Sequence, residues 1–442
     1  MGLTLAPAMR RTSGQLYLGA AAMLVLIAFT VRLGFVAATP DYRPAHDDGK
    51  YDRLACTIAV SGTYPQSWSG LTARSCGGPS KGGSEPSAFR PPGYPALLAG
   101  VYVISAPVTA DRWTAGRIAQ AMLGTLLAAL TGLLGARVWC RRVGLVALAI
   151  AALAPPLIVV GGSLSSDLLF STLVVGAVLA ALAASPGSLR WIALAGALVG
   201  LAALTRPQGL LLLAPLSVAA WRAAGARQAL VVVGAALVVV TPWTVRNAVE
   251  MDALVPISTH TGESLAGTYN AETRIRSGYP GAWRPPRQIA DFADVYALPY
   301  GEVWRQRELS RRAVRFARDH PGYVAEVSAR NTLRLANLED RAWWRHGATT
   351  ISLPAAAGDL AAYGFFPLAA LALVGAGTRA ARRAPAWLWL VPLLLAIATV
   401  PIVGEVRFRA PIDPFLILLA ALALTAGWER LRRRGERERS RS

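Results

Sequence analysis

The apolar runs constrain this chain more than anything else in it. Leu16 to Ala38 is about 23 residues of nearly unbroken apolar sequence, enough to cross a bilayer. Further runs follow at about Trp113 to Trp139, Val143 to Gly161, Asp167 to Ala184, Leu189 to Leu204, Gly209 to Trp221 and Gln228 to Thr241. Three more lie at about Leu353 to Gly375, Trp387 to Val403 and Pro411 to Trp428. In hydrocarbon every backbone N–H and C=O needs a partner within the protein, so apolar runs of this length cross as helices. The expectation is an all-α polytopic membrane protein with about ten transmembrane helices. Hydrophobic residues make up 54% of the 442, above the usual share in soluble domains.

Charge sets the orientation. The formal net charge is +20, but the arginines sit at the ends of apolar runs and not on one polar domain, so nucleic acid is not the expected partner. Arg137, Arg141, Arg142, Arg190, Arg222, Arg227, Arg379, Arg382 and Arg383 share one set of helix ends, which the positive-inside rule puts in the cytoplasm. Tyr94 to Pro107 is too short to cross and is read as re-entrant or interfacial. With that parity both termini are cytoplasmic, and the polar stretches Thr39 to Leu98 and Pro242 to Ser352 are extracytoplasmic. The domains are then a catalytic core (1–241, including loop 39–98), an external subdomain (242–352), C-terminal membrane helices (353–428) and a basic cytoplasmic tail (429–442). The second half of the subdomain, Tyr300 to Asn337, reads as two amphipathic helices broken at Asp319-His320-Pro321. The sequence Leu204-Thr205-Arg206-Pro207-Gln208-Gly209 breaks the helix pair around it. Arg32, in the outer third of the first span, must snorkel or face protein.

The loop from Thr39 to Leu98 concentrates the chemistry. It holds His46-Asp47-Asp48-Gly49-Lys50-Tyr51, the only two lysines of the chain (Lys50 and Lys81), and Cys56 with Cys76. Adjacent carboxylates beside a cation suit a general base kept ionised, although a solvated helix cap uses the same residues. On an extracytoplasmic loop Cys56 and Cys76 are expected to be bridged and Cys140 free. Asp167 stands at a membrane-helix start, where it either faces a cavity or pairs with an arginine. Arg206, Arg246, Arg407 and Arg409 lie on the outer face, against the general trend, so some of them are expected to meet an anionic lipid phosphate, with ordinary pairing to Asp and Glu of the external domain as the alternative. The four histidines show no ligand spacing, so no metal site is assigned. A divalent cation beside Asp47 and Asp48 stays open as an alternative.

These motifs carry a resemblance. An Asp-acidic-x-basic-Tyr stretch just after the first membrane helix resembles the membrane-embedded C-type glycosyltransferases (GT-C fold), within them the protein O-mannosyltransferases and lipid A aminoarabinose transferases (glycosyltransferase family 39-like). Phe89-Arg90-Pro91-Pro92-Gly93-Tyr94-Pro95 is similar to the turn closing the first loop in that family. Ser166-Asp167-Leu168-Leu169-Phe170 is similar to its acidic helix start, and Leu204-Thr205-Arg206-Pro207 to its helix break. Pro242-Trp243-Thr244-Val245-Arg246-Asn247, Val255-Pro256-Ile257-Ser258 and Arg407-Phe408-Arg409-Ala410-Pro411 extend the likeness, which spans about residues 16 to 428.

The resemblance implies a sugar donor on a polyprenyl phosphate and inverting transfer to an acceptor hydroxyl on a protein, glycan or lipid. It implies catalytic carboxylates among Asp47, Asp48 and Asp167, with Asp47 in the register of the base. Lys50, Tyr51, Arg90, Arg206, Arg407 and Arg409 are implied on the donor phosphate. One departure is Phe89, where some relatives carry an acid. A polyprenyl-lipid transporter or flippase, and a non-catalytic membrane scaffold, are the alternative classes. A transporter would place polar residues at mid-bilayer, whereas the unusual charges here gather at one face.

Overall fold

The structure, a computed structural model, describes residues 5–65, 76, 85–109, 111–184, 188–275 and 278–439. Lys81 and most of the stretch around Cys76 lie outside the described residues. The described secondary structure is helical apart from one isolated bridge between Pro65 and Pro86. Helix α1 (Leu5–Ala37) is followed by α2 (Asp47–Ser61), α3 (Gly93–Ser105) and α4 (Arg112–Val138). Next come α5 (Arg141–Leu153), α6 (Pro155–Gly161), α7 (Asp167–Leu182), α8 (Leu189–Thr205), α9 (Leu213–Ala224) and α10 (Ala226–Met251). A polar region then carries α11 (Thr261–Thr268), α12 (Ala271–Ile275), α13 (Ala293–Ala297), α14 (Glu302–Asp319), α15 (Pro321–Leu335) and α16 (Arg341–Thr349). The chain closes with α17 (Ala355–Ala376), α18 (Arg379–Arg383), α19 (Ala386–Thr399) and α20 (Asp413–Arg439).

Among the described residues five helices (α1, α4, α10, α17 and α20) are long and apolar enough to cross a membrane, and α5 with α6, bent by 52°, makes a sixth. Helices α3, α7, α8 and α19 are shorter apolar helices. The chain is thus an all-α, multi-pass membrane protein, with fewer helices of full spanning length than the ten runs suggest. Proline accounts for one of the breaks. Pro207 stops α8 at Thr205, and only a 3-10 turn (Pro207–Leu212) joins it to the 12-residue α9. Two other boundaries move. Helix α10 continues through Pro242 to Met251, so a membrane helix runs about ten residues into the expected external segment. Helix α20 likewise continues through the basic tail to Arg439. The break between α14 and α15 falls at His320, ahead of a proline in the first helical turn.

Arg32 is 2% exposed and faces protein. Its guanidinium donates to the carbonyls of Ala151 (2.9 Å) and Ala152 (3.0 Å). Those are the acceptors that Pro155 and Pro156, lacking N–H groups, leave without their helical donors four residues on. The bend between α5 and α6 is therefore fixed from α1. The main core is apolar contact among α4, α5, α7, α8, α17 and α20.

At one end of this bundle α7 begins and α8 finishes, joined by Arg206 and Asp167. At another, the Trp139 indole donates to the Ala380 carbonyl, which brings together the arginine-rich turns around 137–142 and 379–383. Cys56, fully buried on α2, is joined to Cys76 with Cα atoms 5.3 Å apart, and Cys140 is an exposed free thiol. The bridge closes a loop of 20 positions. Replacing both cysteines with serine is expected to reduce stability by about 3 kcal/mol, read as a lower Tm in detergent. A non-reduced digest should show the Cys56–Cys76 peptide pair with Cys140 alkylated.

Candidate active site

Helix α2 divides its acids between two faces by helical period. Asp48 and Asp52, four residues apart, face inward and are 0% and 3% exposed. Asp48 accepts from the Tyr42 hydroxyl (2.7 Å) and from the backbone N–H groups of His46 (3.0 Å) and Gly49 (2.9 Å). Tyr42 in turn accepts from the Leu164 N–H at 2.9 Å, next to the start of α7. Asp52 pairs with Arg112 at 2.8 Å and accepts from the Tyr102 hydroxyl at 2.8 Å. With both inward acids fastened, α2 has one seating. Asp47, Lys50 and Tyr51 then share the other face.

Asp47 is held by two guanidiniums. Arg90 donates to Oδ1 at 2.5 Å and Arg407 to Oδ2 at 2.6 Å, from positions 43 and 360 residues away in sequence. The Lys50 ammonium lies 3.7 Å from Oδ1. Burial on its own would raise the Asp47 pKa, but the charges of Arg90, Arg407 and Lys50 outweigh it and hold the carboxyl well below the usual carboxylate range. Arg407 also pairs with Glu405 at 2.8 Å. Asp47 keeps a quarter of its side-chain surface open, whereas Arg90 and Arg407 are largely buried.

Each arginine is braced. The Arg90 guanidinium sits 5.2 Å from the Tyr51 ring centroid, and Tyr51 packs edge-on against Tyr94 at 5.1 Å. The Tyr64 hydroxyl donates to the Arg90 carbonyl at 3.0 Å. Pro91 and Pro92 then lead into α3, whose first residue is Gly93; a Cβ there would lie 2.8 Å from the Leu204 carbonyl oxygen. That close approach brings the Arg90 turn against the end of α8, where Arg206 follows.

A second ion pair stands behind the first. Arg206 meets Asp167 at 2.7 Å, with Asp167 fully buried, and donates to the Ser166 hydroxyl at 3.2 Å, which also contacts the Tyr51 hydroxyl at 3.2 Å. Phe408 lies under both Arg206 (4.6 Å) and Arg407 (4.8 Å). Arg409 stands apart from this cluster. It pairs with Asp413 at 2.8 Å, donates to the Leu335 carbonyl and covers the Phe365 ring. Arg246 braces the turn, donating to the Ser87 carbonyl at 2.7 Å.

The structure thus brings together Asp47, Lys50, Tyr51, Arg90 and Arg407, with Arg206 and Asp167 as an already neutralised pair behind them. Asp48 lies on the inner side of α2 and Arg409 elsewhere. Both oxygens of Asp47 and both of Asp48 already have donors, in different directions, so the adjacent acids do not form a joint cradle for a divalent cation. Among the described residues no three His, Cys, Asp or Glu side chains are grouped to hold a metal ion.

Four contributors escaped the sequence reading. Asp52 was readable from its spacing of four from Asp48. Glu405 lies two residues before Arg407. Glu302, the first residue of α14 and 6% exposed, accepts from the Ser87 hydroxyl (2.6 Å), the Ala88 N–H (3.0 Å) and the Thr259 hydroxyl (2.7 Å). It ties the Arg90 turn to the segment carrying His260. His260 packs tilted against Phe89, ring centroids 4.7 Å apart, and its Nδ1 meets the Ser264 hydroxyl at 2.7 Å. Burial, then Arg90, with Lys50 and Arg206 adding to them against the pull of Asp47, push its pKa down to about 3, so it is neutral at physiological pH. No local pattern announces Glu302 or His260, because their partners are distant in sequence.

The sequence matches no protein-family model and no curated protein. Among solved structures it is similar to the oligosaccharyltransferase of Archaeoglobus fulgidus tethered to an acceptor peptide containing the NVT sequon, at 14% identity and TM-score 0.55, over 94% of this chain and 50% of that one. It is also similar to AglB of Archaeoglobus fulgidus in complex with an inhibitory peptide and a dolichol-phosphate, at 15% identity and TM-score 0.51, over 97% of this chain and 52% of that one. ArnT of Cupriavidus metallidurans bound to undecaprenyl phosphate overlaps more loosely (16% identity, TM-score 0.41, 92% of this chain and 77% of that one). The chain therefore has the GT-C fold, the fold of membrane-embedded glycosyltransferases. It spans about half the length of the archaeal oligosaccharyltransferase.

The two guanidiniums make the Asp47 carboxyl's titration a direct test. Its folded pKa lies below the unfolded value of about 3.9, so ionised Asp47 contributes stability above that pH, lost only as pH falls through the lower folded value. In ligand-free protein the infrared carboxylate band lost on Asp47→Asn should persist below about pH 4. In Arg90→Gln protein it should disappear at higher pH than in the wild type.

Proposed function

We propose that the Asp47 cluster transfers a sugar from a polyprenyl-phosphate donor to an acceptor hydroxyl, with inversion, at the extracytoplasmic face of the membrane. The observation that carries this is a single partly open carboxylate bonded by two buried arginines, with a lysine beside it. The ion-paired set counts three cations (Arg90, Arg407, Lys50) against two carboxylates (Asp47, Glu405). A site with positive charge in excess favours an added anion, and paired guanidinium donors suit phosphate oxygens. AglB, whose fold this chain shares, is known in complex with dolichol-phosphate, which supports a polyprenyl phosphate as the donor carrier here.

The charge balance favours transfer. The donor is a phosphodiester with one negative charge; the leaving group, a phosphate monoester, gains a second. Arg90, Arg407 and Lys50 therefore bind the departing phosphate more strongly than the donor, which is the differential stabilisation that speeds a reaction. When the donor phosphate draws the two guanidiniums away, Asp47 loses the partners that hold its pKa down and becomes a competent proton acceptor. The acceptor hydroxyl gives its proton to Asp47 as its oxygen attacks the anomeric carbon opposite the phosphate. The bond from that carbon to the phosphate oxygen breaks, and the electron pair leaves with the polyprenyl phosphate. Tyr51 props Arg90 throughout, while Asp48, Asp52 and Glu302 keep α2 and the Arg90 turn in place.

Two features support the extracytoplasmic assignment. The Cys56–Cys76 bridge adjoins the cluster on α2, and disulfides persist outside the reducing cytoplasm. Arginines 137, 141, 142, 379, 382 and 383 gather in joined turns, as cytoplasmic ends do. Single cysteines placed at Glu85 and at Tyr300 should both be labelled by an impermeant thiol reagent added from outside. Labelling at only one of them would overturn the shared face.

The activity is tested by incubating membranes with radiolabelled polyprenyl-phosphate sugars and separating protein, glycan and lipid products. Asp47→Asn should reduce turnover by about a hundredfold or more. It should leave donor binding intact or tighter, because the phosphate no longer competes with a carboxylate for Arg90 and Arg407. Arg90→Ala and Arg407→Ala should each weaken donor binding. Near-normal turnover in Asp47→Asn protein would remove the base from this position.

A further inference from the structure

Helix α14 does two jobs on two faces. At its start Glu302 holds the Arg90 turn; along another face it presents Arg307, Arg311, Arg315 and Arg318, at spacings of four, four and three residues. That spacing keeps them on one side of the helix, in a row about 16 Å long at 1.5 Å per residue. The row lines an open cavity of about 770 Å³, whose facing wall is the segment from Leu254 to Thr261.

The arginines of α14 differ in how they are paired. Arg312, which does not line the cavity, pairs with Asp294 at 2.5 Å and Glu308 at 2.8 Å. Within the cavity Arg311 meets Glu308 at 2.7 Å, whereas Arg307, Arg315 and Arg318 form no ion pair among the described residues. Asp319 is the only carboxylate in the lining. In the opposite wall the Ser258 hydroxyl oxygen is buried and has no hydrogen-bond partner among the described residues. Leu254, 72% exposed, and Val314, 37% exposed, add apolar surface of the kind that sugar ring faces cover. The wall continues into the candidate active site: the Thr259 N–H donates to the Ala88 carbonyl at 3.0 Å, its hydroxyl to Glu302, and His260 comes next.

We infer that this groove binds the acceptor as an anionic glycan, a chain of sugars bearing carboxylate or phosphate groups, and leads it toward the Asp47 cluster. The inference deepens the transfer reading and rests on it for the word acceptor. The charge row supplies the anion sites, the free hydroxyl and the apolar patches suit sugar, and the wall's direction supplies the role. A membrane surface fits less well, because the arginines line a recess and not a convex face with bulky apolar anchors. An acidic peptide would match the charge, and it is the occupant that competition by poly-glutamate would name instead.

The test uses the full chain in phosphatidylcholine nanodiscs, without donor, and a fluorescent hexamer of galacturonate as the probe. Binding should be saturable and should weaken as salt rises. The triple substitution Arg307→Gln, Arg315→Gln, Arg318→Gln should lower affinity by about tenfold or more, and the same three changed to Lys should retain most of it. These side chains are exposed, so folding should be unaffected, and donor binding by the Gln triple should match the wild type. Equal affinity in the Gln triple would overturn the site. Equal binding of neutral maltohexaose, or competition by a poly-glutamate peptide or phosphatidylglycerol vesicles as strong as by unlabelled galacturonate hexamer, would overturn the ligand class. Because binding is read without turnover, failure here leaves the transfer reading standing. Loss of the transfer reading would instead appear as unimpaired turnover in Asp47→Asn protein.

Discussion

Two arginines meeting on one carboxylate hold the candidate site together. Arg90 comes from the turn before α3, Arg407 from the turn before α20, and Asp47 from the first turn of α2. Burying guanidiniums is costly unless each finds an anion, so this three-way contact fixes where the early and late parts of the chain meet. The remaining contacts follow from it. Tyr51 and Phe408 cover the arginine faces, Glu405 supplies a second anion to Arg407, and Arg206 with Asp167 fills the space behind. In the ligand-free protein Asp47 occupies both guanidiniums, so on the proposed reading a donor phosphate would exchange with a carboxylate already bound there.

The polar region between α10 and α17 is coupled to that contact through α14. Glu302 hangs two strips of chain on one buried carboxylate, the strip ending at Arg90 and the strip ending at His260. A shift of α14 along its axis moves both. The arginine row is on the same rigid helix, so whatever occupies the groove is held in register with the cation cluster by a single structural element.

The sequence showed the class of fold through its apolar runs and showed the main site through residue types that are expensive near a membrane. Asp47, Lys50 and Arg407 stood out for that reason, since charge beside long apolar helices has few inexpensive explanations, whereas Arg90 and the role given to each came from the family resemblance. The two-faced pattern of α2 was partly legible, because a spacing of four joins Asp48 to Asp52 on one face and a spacing of three joins Asp47 to Lys50 on another. Arg409 was misplaced because it shares a motif with Arg407, yet two residues of offset in a 3-10 turn send it to Asp413 and Phe365. Glu302 and His260 were not legible at all: their partners are contributed by segments far away in sequence. The helix ends were uncertain for another reason, since Pro242 sits inside α10 without ending it and the basic tail extends α20.

The contact of Arg32 with the Ala151 and Ala152 carbonyls bears on how the chain is assembled. When α1 first enters the bilayer its arginine can reach only the Ala28 carbonyl of its own helix, and the two further carbonyls that receive it belong to α5, which is made later. An arginine costs about 2.5–3.5 kcal/mol at the centre of a membrane helix and less in the outer third where Arg32 sits, and the α5–α6 bend carries two orphaned acceptors of its own. Each half is poorly suited to lipid alone, and each removes the other's deficit on meeting. The final seating of the first helix therefore depends on a bend more than a hundred residues further along the chain.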